Sequence, residues 1–389
     1  MDNDMQTNIH LFFADTIEQL PWPDSEDGSY ARAYLTPLIQ QSSQHFIDNV
    51  ITTYMALLID ERIVLPLSLN QRDYANSYVC SPYTHYITYA KEELTLVQPA
   101  WLRRFFATIF TLLGLLGKAC QMNNVVCVNN WLLSTNLYPS LSTQQVADIL
   151  TFLKQRFPQH TIIFRSLNNH TTPMIMADLK RLGCTLLGSR QAYLLRPANP
   201  HALTSKARWL LKRDFALLAQ YGYMTATNKD LTENDIARIV ELYNVLYLDK
   251  YSRSNPMFNE HFIRLALHEK ILQLVALKKD GRIDAVLGYF SRNGVMTTPL
   301  FGYDTTLPQE LGLYRMLSVV LFNIAKERDL LLHESSGAAQ FKRNRGAHGE
   351  IEYSAIYAQH LPLYRRLYWN MLAFLLDNIG IPYMQQHKL

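Results

Sequence analysis

Cysteine is scarce: the 389-residue chain has four, at positions 80, 120, 127 and 184. They form no CxxC pair and take no zinc-like spacing with histidine. That excludes a disulfide scaffold or zinc module and fits a reduced, cytoplasmic setting. Glycine-dependent motifs are missing as well. Without a Gly-x-Ser-x-Gly elbow, a Walker loop or a dinucleotide fingerprint, the hydrolase, NTPase and Rossmann readings fall away. His261 and His268 lie on one predicted helix with no carboxylate array beside them, so no metal site is expected. The most apolar run, Phe105 to Gly117, sits between Arg103-Arg104 and Lys118. It is too short to span a bilayer and predicts a core helix. Asp2 and Asp4 with no basic segment argue against a secretory signal, and a soluble protein with no membrane partner is expected. The net charge of +4 permits an anionic ligand or RNA contact without requiring either.

What is present is a globular composition, 48% hydrophobic and 18% charged, in a chain long enough to predict two domains. Twenty-three Tyr and 17 Phe beside 15 Gly predict large buried surfaces and walled pockets. From Phe46 to Pro66 the pattern suggests a helix passing into a strand. A strand over 125–134 leads through Asn136-Leu-Tyr-Pro-Ser to a helix with Ser142 as N-cap and Val146, Ile149, Leu150 and Leu153 on one face. A strand at Thr161–Phe164, a helix from Pro173 to Leu182 and two short strands through Leu195 complete the first half. Arg196-Pro-Ala-Asn-Pro200 breaks any periodic element, which predicts domains over 1–198 and 199–389. The second half reads as a basic helix Ser205–Gln220 stopped by Gly222, then a capping box at Thr232–Asp235. Strands follow at 272–278 and 285–291 around the turn Lys279-Asp-Gly281, with a third at Val295–Tyr303. A helix over 312–328 and a strand at Leu330–Glu334 close the series. The halves share an order of elements, with Asn136–Ser142 corresponding to Asp304–Leu311, as in a diverged internal duplication. The aromatic run Leu363–Leu376 (Tyr364, Tyr368, Trp369, Phe374) predicts a packing helix or a homodimer face.

Residues 330–346 are the densest in chemistry. An apolar strand ends in Ser335-Ser336-Gly-Ala-Ala, and the cations Lys342, Arg343 and Arg345 follow within a few positions. Small residues let a ligand approach backbone, and cations just beyond would meet a phosphate, a carboxylate or a developing oxyanion. His333 and Glu334 alternate across the strand, so at most one of them faces such a site as a proton acceptor.

The strand–loop–helix–strand order around Gln309-Glu-Leu-Gly312-Leu-Tyr314 resembles the acyl-CoA-binding core of the GNAT N-acyltransferase superfamily. Phe341-Lys342-x-x-Arg345-Gly346 and the basic entry helix resemble Fem-type peptidyltransferases, which are tandem GNAT proteins. The resemblance covers most of 200–358, whereas the first half matches only in element order. It implies an α+β fold of two GNAT-like domains in tandem, each a mixed, mostly antiparallel twisted sheet flanked by helices. The first domain would be degenerate and the second catalytic, carrying the C-terminal helix. It further implies an N-acyltransferase with acyl-CoA as co-substrate, bound by Gln309, Leu311, Gly312, Leu313, Tyr314 and Arg315. Tyr314 departs from the family's small residue. Lys342 and Arg345 would oppose negative charge, and Glu334 and Tyr303 would complete the catalytic set, with the base open between His333 and Glu334. Asp304, Ser335, Ser336 and Phe341 would line the pocket of a small-molecule or peptide amine. Two alternatives stay open: an aminoacyl-tRNA donor, and a binding protein without turnover.

Overall fold

The computed structural model describes residues 7–94, 99–199, 201 and 203–387. Its strands, numbered along the chain, are β1 (Ile9–Phe12), β2 (Thr53–Ile59), β3 (Ile63–Asn70), β4 (Val125–Val128), β5 (Thr161–Leu167) and β6 (Thr185–Leu195). They continue as β7 (Met224–Thr227), β8 (Gln273–Lys279), β9 (Arg282–Arg292), β10 (Val295–Tyr303), β11 (Leu331–His333) and β12 (His348–Tyr357). The chain forms two compact units, 1–189 with 254–256 and 352–383, and 190–253 with 257–351 and 384–389. The division therefore falls inside β6 rather than at 198/199, and helix Leu363–Leu375 groups with the first unit. Of the Arg196–Pro200 segment, Pro200 lies outside the described residues.

In the first unit the strand order is β1-β2-β3-β4-β5-β12, and in the second it is β7-β8-β9-β10-β11-β6. The pairing sense matches at every step. The first four strands of each unit are antiparallel neighbours, the fifth runs parallel to the fourth, and the sixth is antiparallel to the fifth. This is the tandem α+β arrangement of mixed, mostly antiparallel sheets, with one device the sequence order conceals. Each unit takes its sixth strand from the other half of the sequence.

Parallel neighbours need a crossover, and helices Thr143–Arg156 and Leu313–Glu327 supply it in the two units. The first starts at a complete capping box between Ser142 and Gln145 and buries Val146, Ile149, Leu150 and Leu153. Basic helix Ser205–Tyr221 ends where Gly222 adopts φ +71, a left-handed cap that favours glycine. The β8–β9 turn places Asp280 and Gly281 at positive φ, as a tight hairpin requires. Gly302 in β10 is needed for another reason, since a Cβ there would lie 2.5 Å from the backbone carbon of Leu242.

Two expectations are corrected. Residues 46–66 hold no helix passing into a strand. They lead into the β2–β3 hairpin, turned by Asp60 and Glu61 at φ +49 and +56. A run such as Tyr54–Ile59, buried on both faces, has no period that separates strand from helix. The run 105–117 belongs to the 20-residue helix Ala100–Ala119, which is long and apolar enough to cross a membrane by length and composition. It is not a core helix: only Leu113, Gly114 and Gly117 are buried, and Trp101 is 68% and Leu115 61% exposed.

Candidate functional site

In the second unit β10 and β11 pair only through Val295–Thr297 and Leu331–His333. Then β11 stops, while β10 runs on to Tyr303 against β9, with a register shift between Thr297 and Leu300. Pro299 lies inside that shift and cannot donate to a ladder. The parting opens backbone and side chains of two strand ends to one another. At this point the buried hydroxyls of Thr297 and Thr298 have no hydrogen-bond partner among the described residues. A Thr-Thr-Pro inside a strand is the sequence signal that could have singled them out.

The chain leaving β11 curls tightly, with Ser335, Gly337 and Ala338 at φ +57, +79 and +46. For Ser335 and Ala338 this is a strained conformation that surrounding contacts must hold. Lys342, on the short helix Ala339–Asn344, supplies that contact. Its Nζ donates to the carbonyls of Glu334 (2.5 Å), Ser336 (2.9 Å) and Ser335 (3.4 Å). The cation expected to face a ligand is instead 6% exposed and ties its own loop together. Burial pulls the Lys342 pKa down to about 8, with the Glu334 charge acting against the fall. Because three carbonyls match its N–H groups, the ammonium form holds at neutral pH.

Glu334 donates its backbone N–H to the Tyr193 carbonyl at 2.8 Å, which fixes the residue beside β6. Its Oε2 is buried and has no hydrogen-bond partner among the described residues. Burial raises the carboxyl pKa, and the charges of Lys342 and Arg345 counteract that rise without cancelling it. His333 is buried, and its Nδ1 accepts the Ser335 N–H at 3.2 Å.

An aromatic wall completes the arrangement. The Tyr314 ring lies 4.8 Å from Phe341, 5.4 Å from Phe301 and 6.2 Å from Tyr303, centroid to centroid. Burial raises the Tyr314 pKa, and the charge of Glu334 raises it further, so the phenol stays protonated. Thus Glu334, Lys342, Tyr303, Tyr314, Phe341 and the Ser335-Ser336 turn come together where the strands part. Ser336 is exposed and Ser335 half-buried.

Other predicted residues have structural duties. Arg345 donates Nε to Asp214 Oδ2 at 2.8 Å and a second N–H to the same oxygen, and its guanidinium stacks 3.4 Å over the Phe341 ring. Fully buried Asp214 also draws Arg315, at 3.7 Å. Sequence reasoning missed Asp214 because its partner Arg345 is 131 residues away. Asp304 is held by Arg238 at 2.6 Å and by the Thr306 N–H and hydroxyl. Burial would raise its pKa, but those bonds carry it below the usual carboxylate range. Its backbone N–H bonds the Asp284 carbonyl at 2.8 Å, so it fastens the ends of β9 and β10 together.

The segment expected to hold a donor pyrophosphate is a single 3-10 turn, Gln309–Leu311, then Gly312 at φ +71. Gln309 is exposed, Leu311 half-buried and Leu313 buried. Helix Leu313–Glu327 begins there with no side-chain cap, leaving its first-turn amides to an external acceptor. Tyr314 commits its ring to the aromatic wall. Among the described residues no group of three or more His, Cys, Asp or Glu could hold a metal.

No protein-family model and no curated protein matches the sequence. Several solved structures resemble the chain. A conserved protein of unknown function from Bacteroides thetaiotaomicron is 13% identical over 88% of this chain and 96% of its own, with a TM-score of 0.47. The C-terminal domain of a putative lysylphosphatidylglycerol synthetase from Agrobacterium fabrum is 14% identical, covering 61% of this chain and 79% of that one (TM-score 0.45). A tandem GNAT protein from the clavulanic acid biosynthesis pathway is 8% identical over 92% and 99% of the respective chains (TM-score 0.39).

Proposed function

We propose that the second unit transfers an acyl group from a thioester or ester donor to an amine. The observation that supports this reading is the buried Glu334 carboxyl, with an oxygen left unbonded at the parting of β10 and β11. An acceptor amine attacks the donor carbonyl, forming the new C–N bond. The bond from the acyl carbon to the leaving thiolate or alkoxide then breaks. The amine proton goes to the Glu334 carboxylate and from there to the leaving group. Lys342 acts through the loop: by holding three carbonyls inward it keeps Glu334 at the strand end. Tyr303, Tyr314 and Phe341 exclude water from the reacting centre. Coenzyme A, as the donor's carrier, fits the uncapped amides after Gly312.

The test is release of free thiol from a panel of short-chain acyl-CoAs in the presence of primary amines. Glu334→Gln should lower kcat/KM by roughly 10²–10⁴-fold with melting preserved. The base must be ionised to act, and its pKa is raised, so wild-type kcat/KM should fall as pH drops through a value above the ordinary carboxylate range. An unchanged Glu334→Gln rate would refute the role. Absence of turnover with every donor would leave a binding protein.

A second reading keeps the chemistry and replaces the donor by aminoacyl-tRNA. It is favoured by helix Ser205–Tyr221, where Lys206, Lys212 and Arg213 are exposed around Trp209, with Arg213 4.8 Å over the Trp209 ring. Retention of charged tRNA at low salt, lost steeply as salt rises, would support it. Binding of coenzyme A without tRNA would rule it out.

A further inference from the structure

Helix Ala100–Ala119 of the first unit has two faces of different fate. Its inner stripe is seated: the Tyr368 hydroxyl donates to the Leu113 carbonyl at 3.1 Å, and a Cβ on Gly117 would come within 2.6 Å of that hydroxyl. The close approach fixes the helix along helix Leu363–Leu375. The protein along its inner side is a mixed sheet with helices and loops, which a bilayer core does not accept, so the helix does not span one while this packing holds. Its outer stripe is Trp101, Phe105, Leu112, Leu115 and Leu116, all exposed. Such a run of large apolar side chains is more than the scattered exposure that soluble surfaces tolerate.

The polar groups on the outer stripe point to the occupant. Thr108 and Thr111 bond back to the carbonyls of Arg104 (3.1 Å) and Ala107 (2.7 Å). Their hydroxyls therefore need no water or partner, and their methyl groups join the apolar face. Charge is confined to the ends. Arg104 flanks the stripe between Trp101 and Thr108, whereas Arg103 lies two residues from Trp101 and Phe105 and so on another side of the helix. Lys118 sets its ammonium over the Tyr74 and Tyr83 rings at 5.4 and 5.2 Å. Residues 100–119 include no Asp or Glu. The stripe offers no carboxylate to Arg104, so a two-fold contact through it would leave that cation without a counter-charge. An anionic bilayer surface answers both features, taking the apolar stripe at the acyl boundary and Arg104 among headgroup phosphates.

We propose that the outer face of helix Ala100–Ala119 docks the protein, lying flat, on an anionic lipid surface. This is independent of the acyl-transfer reading, because it concerns the first unit alone. The experiment is flotation of the full chain with phosphatidylcholine vesicles, with and without phosphatidylglycerol. Wild type should float with the anionic vesicles. Arg104→Gln should weaken partitioning about fivefold. Leu112→Ser/Leu115→Ser should abolish it, with melting unchanged because these side chains are exposed. Failure of wild type to float with anionic vesicles would overturn the proposal, as would equal flotation of both variants. A dimer in light scattering that Leu112→Ser/Leu115→Ser converts to monomer, with no vesicle binding, would hand the face to a second copy instead.

Discussion

Replacing Arg345 by alanine separates two roles for the same cation. As an anion contact it would be dispensable for folding and needed for turnover; as the partner of Asp214 the reverse holds. Removing one member of a buried, hydrogen-bonded ion pair leaves the other charged and unpaired, at a cost of about 3–5 kcal/mol. Here Arg315 at 3.7 Å and Arg213 at 3.9 Å remain near Asp214, which favours the lower end of that range, about 3 kcal/mol. With a shift of about 2–4 °C per kcal/mol for a unit of this size, melting should fall by roughly 6–12 °C. Thermal and urea unfolding followed by circular dichroism would measure it. Arg345→Met combined with Asp214→Leu should recover most of the loss, because an apolar pair needs no solvation. A variant Arg345→Ala that melts with wild type and yet loses transfer would refute the clamp and restore the cation to the substrate.

Gly312→Ala should cost about 1–2 kcal/mol for its left-handed backbone alone. It also places a Cβ 2.7 Å from the Arg315 side chain, so affinity for coenzyme A, measured by calorimetry, should fall with stability. Thr297→Val removes a buried hydroxyl with no partner among the described residues, so stability should hold or rise by up to about 1 kcal/mol. If the hydroxyl meets a substrate, KM rises; an unchanged KM would exclude Thr297 from the site.

Local signals in the sequence were faithful guides to local structure. Gly222, Ser142 with Gln145, Thr232 with Asp235 and Asp280-Gly281 occupy the caps and turns that their chemistry predicts. Each of these depends on neighbours a few residues away. The failures have the opposite character. Arg345 looked available because its partner Asp214 lies far back on another helix, and Asp304 looked available because Arg238 does. Lys342 was expected to oppose negative charge on a substrate, but a basic residue after small residues carries no mark of which way its ammonium turns. Here it turns onto backbone carbonyls, the groups a composition-based reading never counts. The apolar helix at 100–119 failed for a related reason, since hydropathy measures what a side chain prefers and not whether the fold covers it.

The exchange of sixth strands sets a schedule for synthesis. When Leu167 has left the ribosome, the β5 edge is complete, but the strand that pairs with it starts its pairing at Tyr353. At about 5–20 residues per second that interval lasts on the order of 10–40 seconds. For this time the nascent first unit presents an open, apolar strand edge, the kind of template on which chains aggregate or pair with the wrong partner. A stop codon between the end of β6 and the start of β11 therefore leaves both sheets unfinished, and one between β11 and β12 leaves the first sheet without its sixth strand. The two units cannot be separated by cutting the chain at its midpoint, because each would lose the strand that completes its sheet.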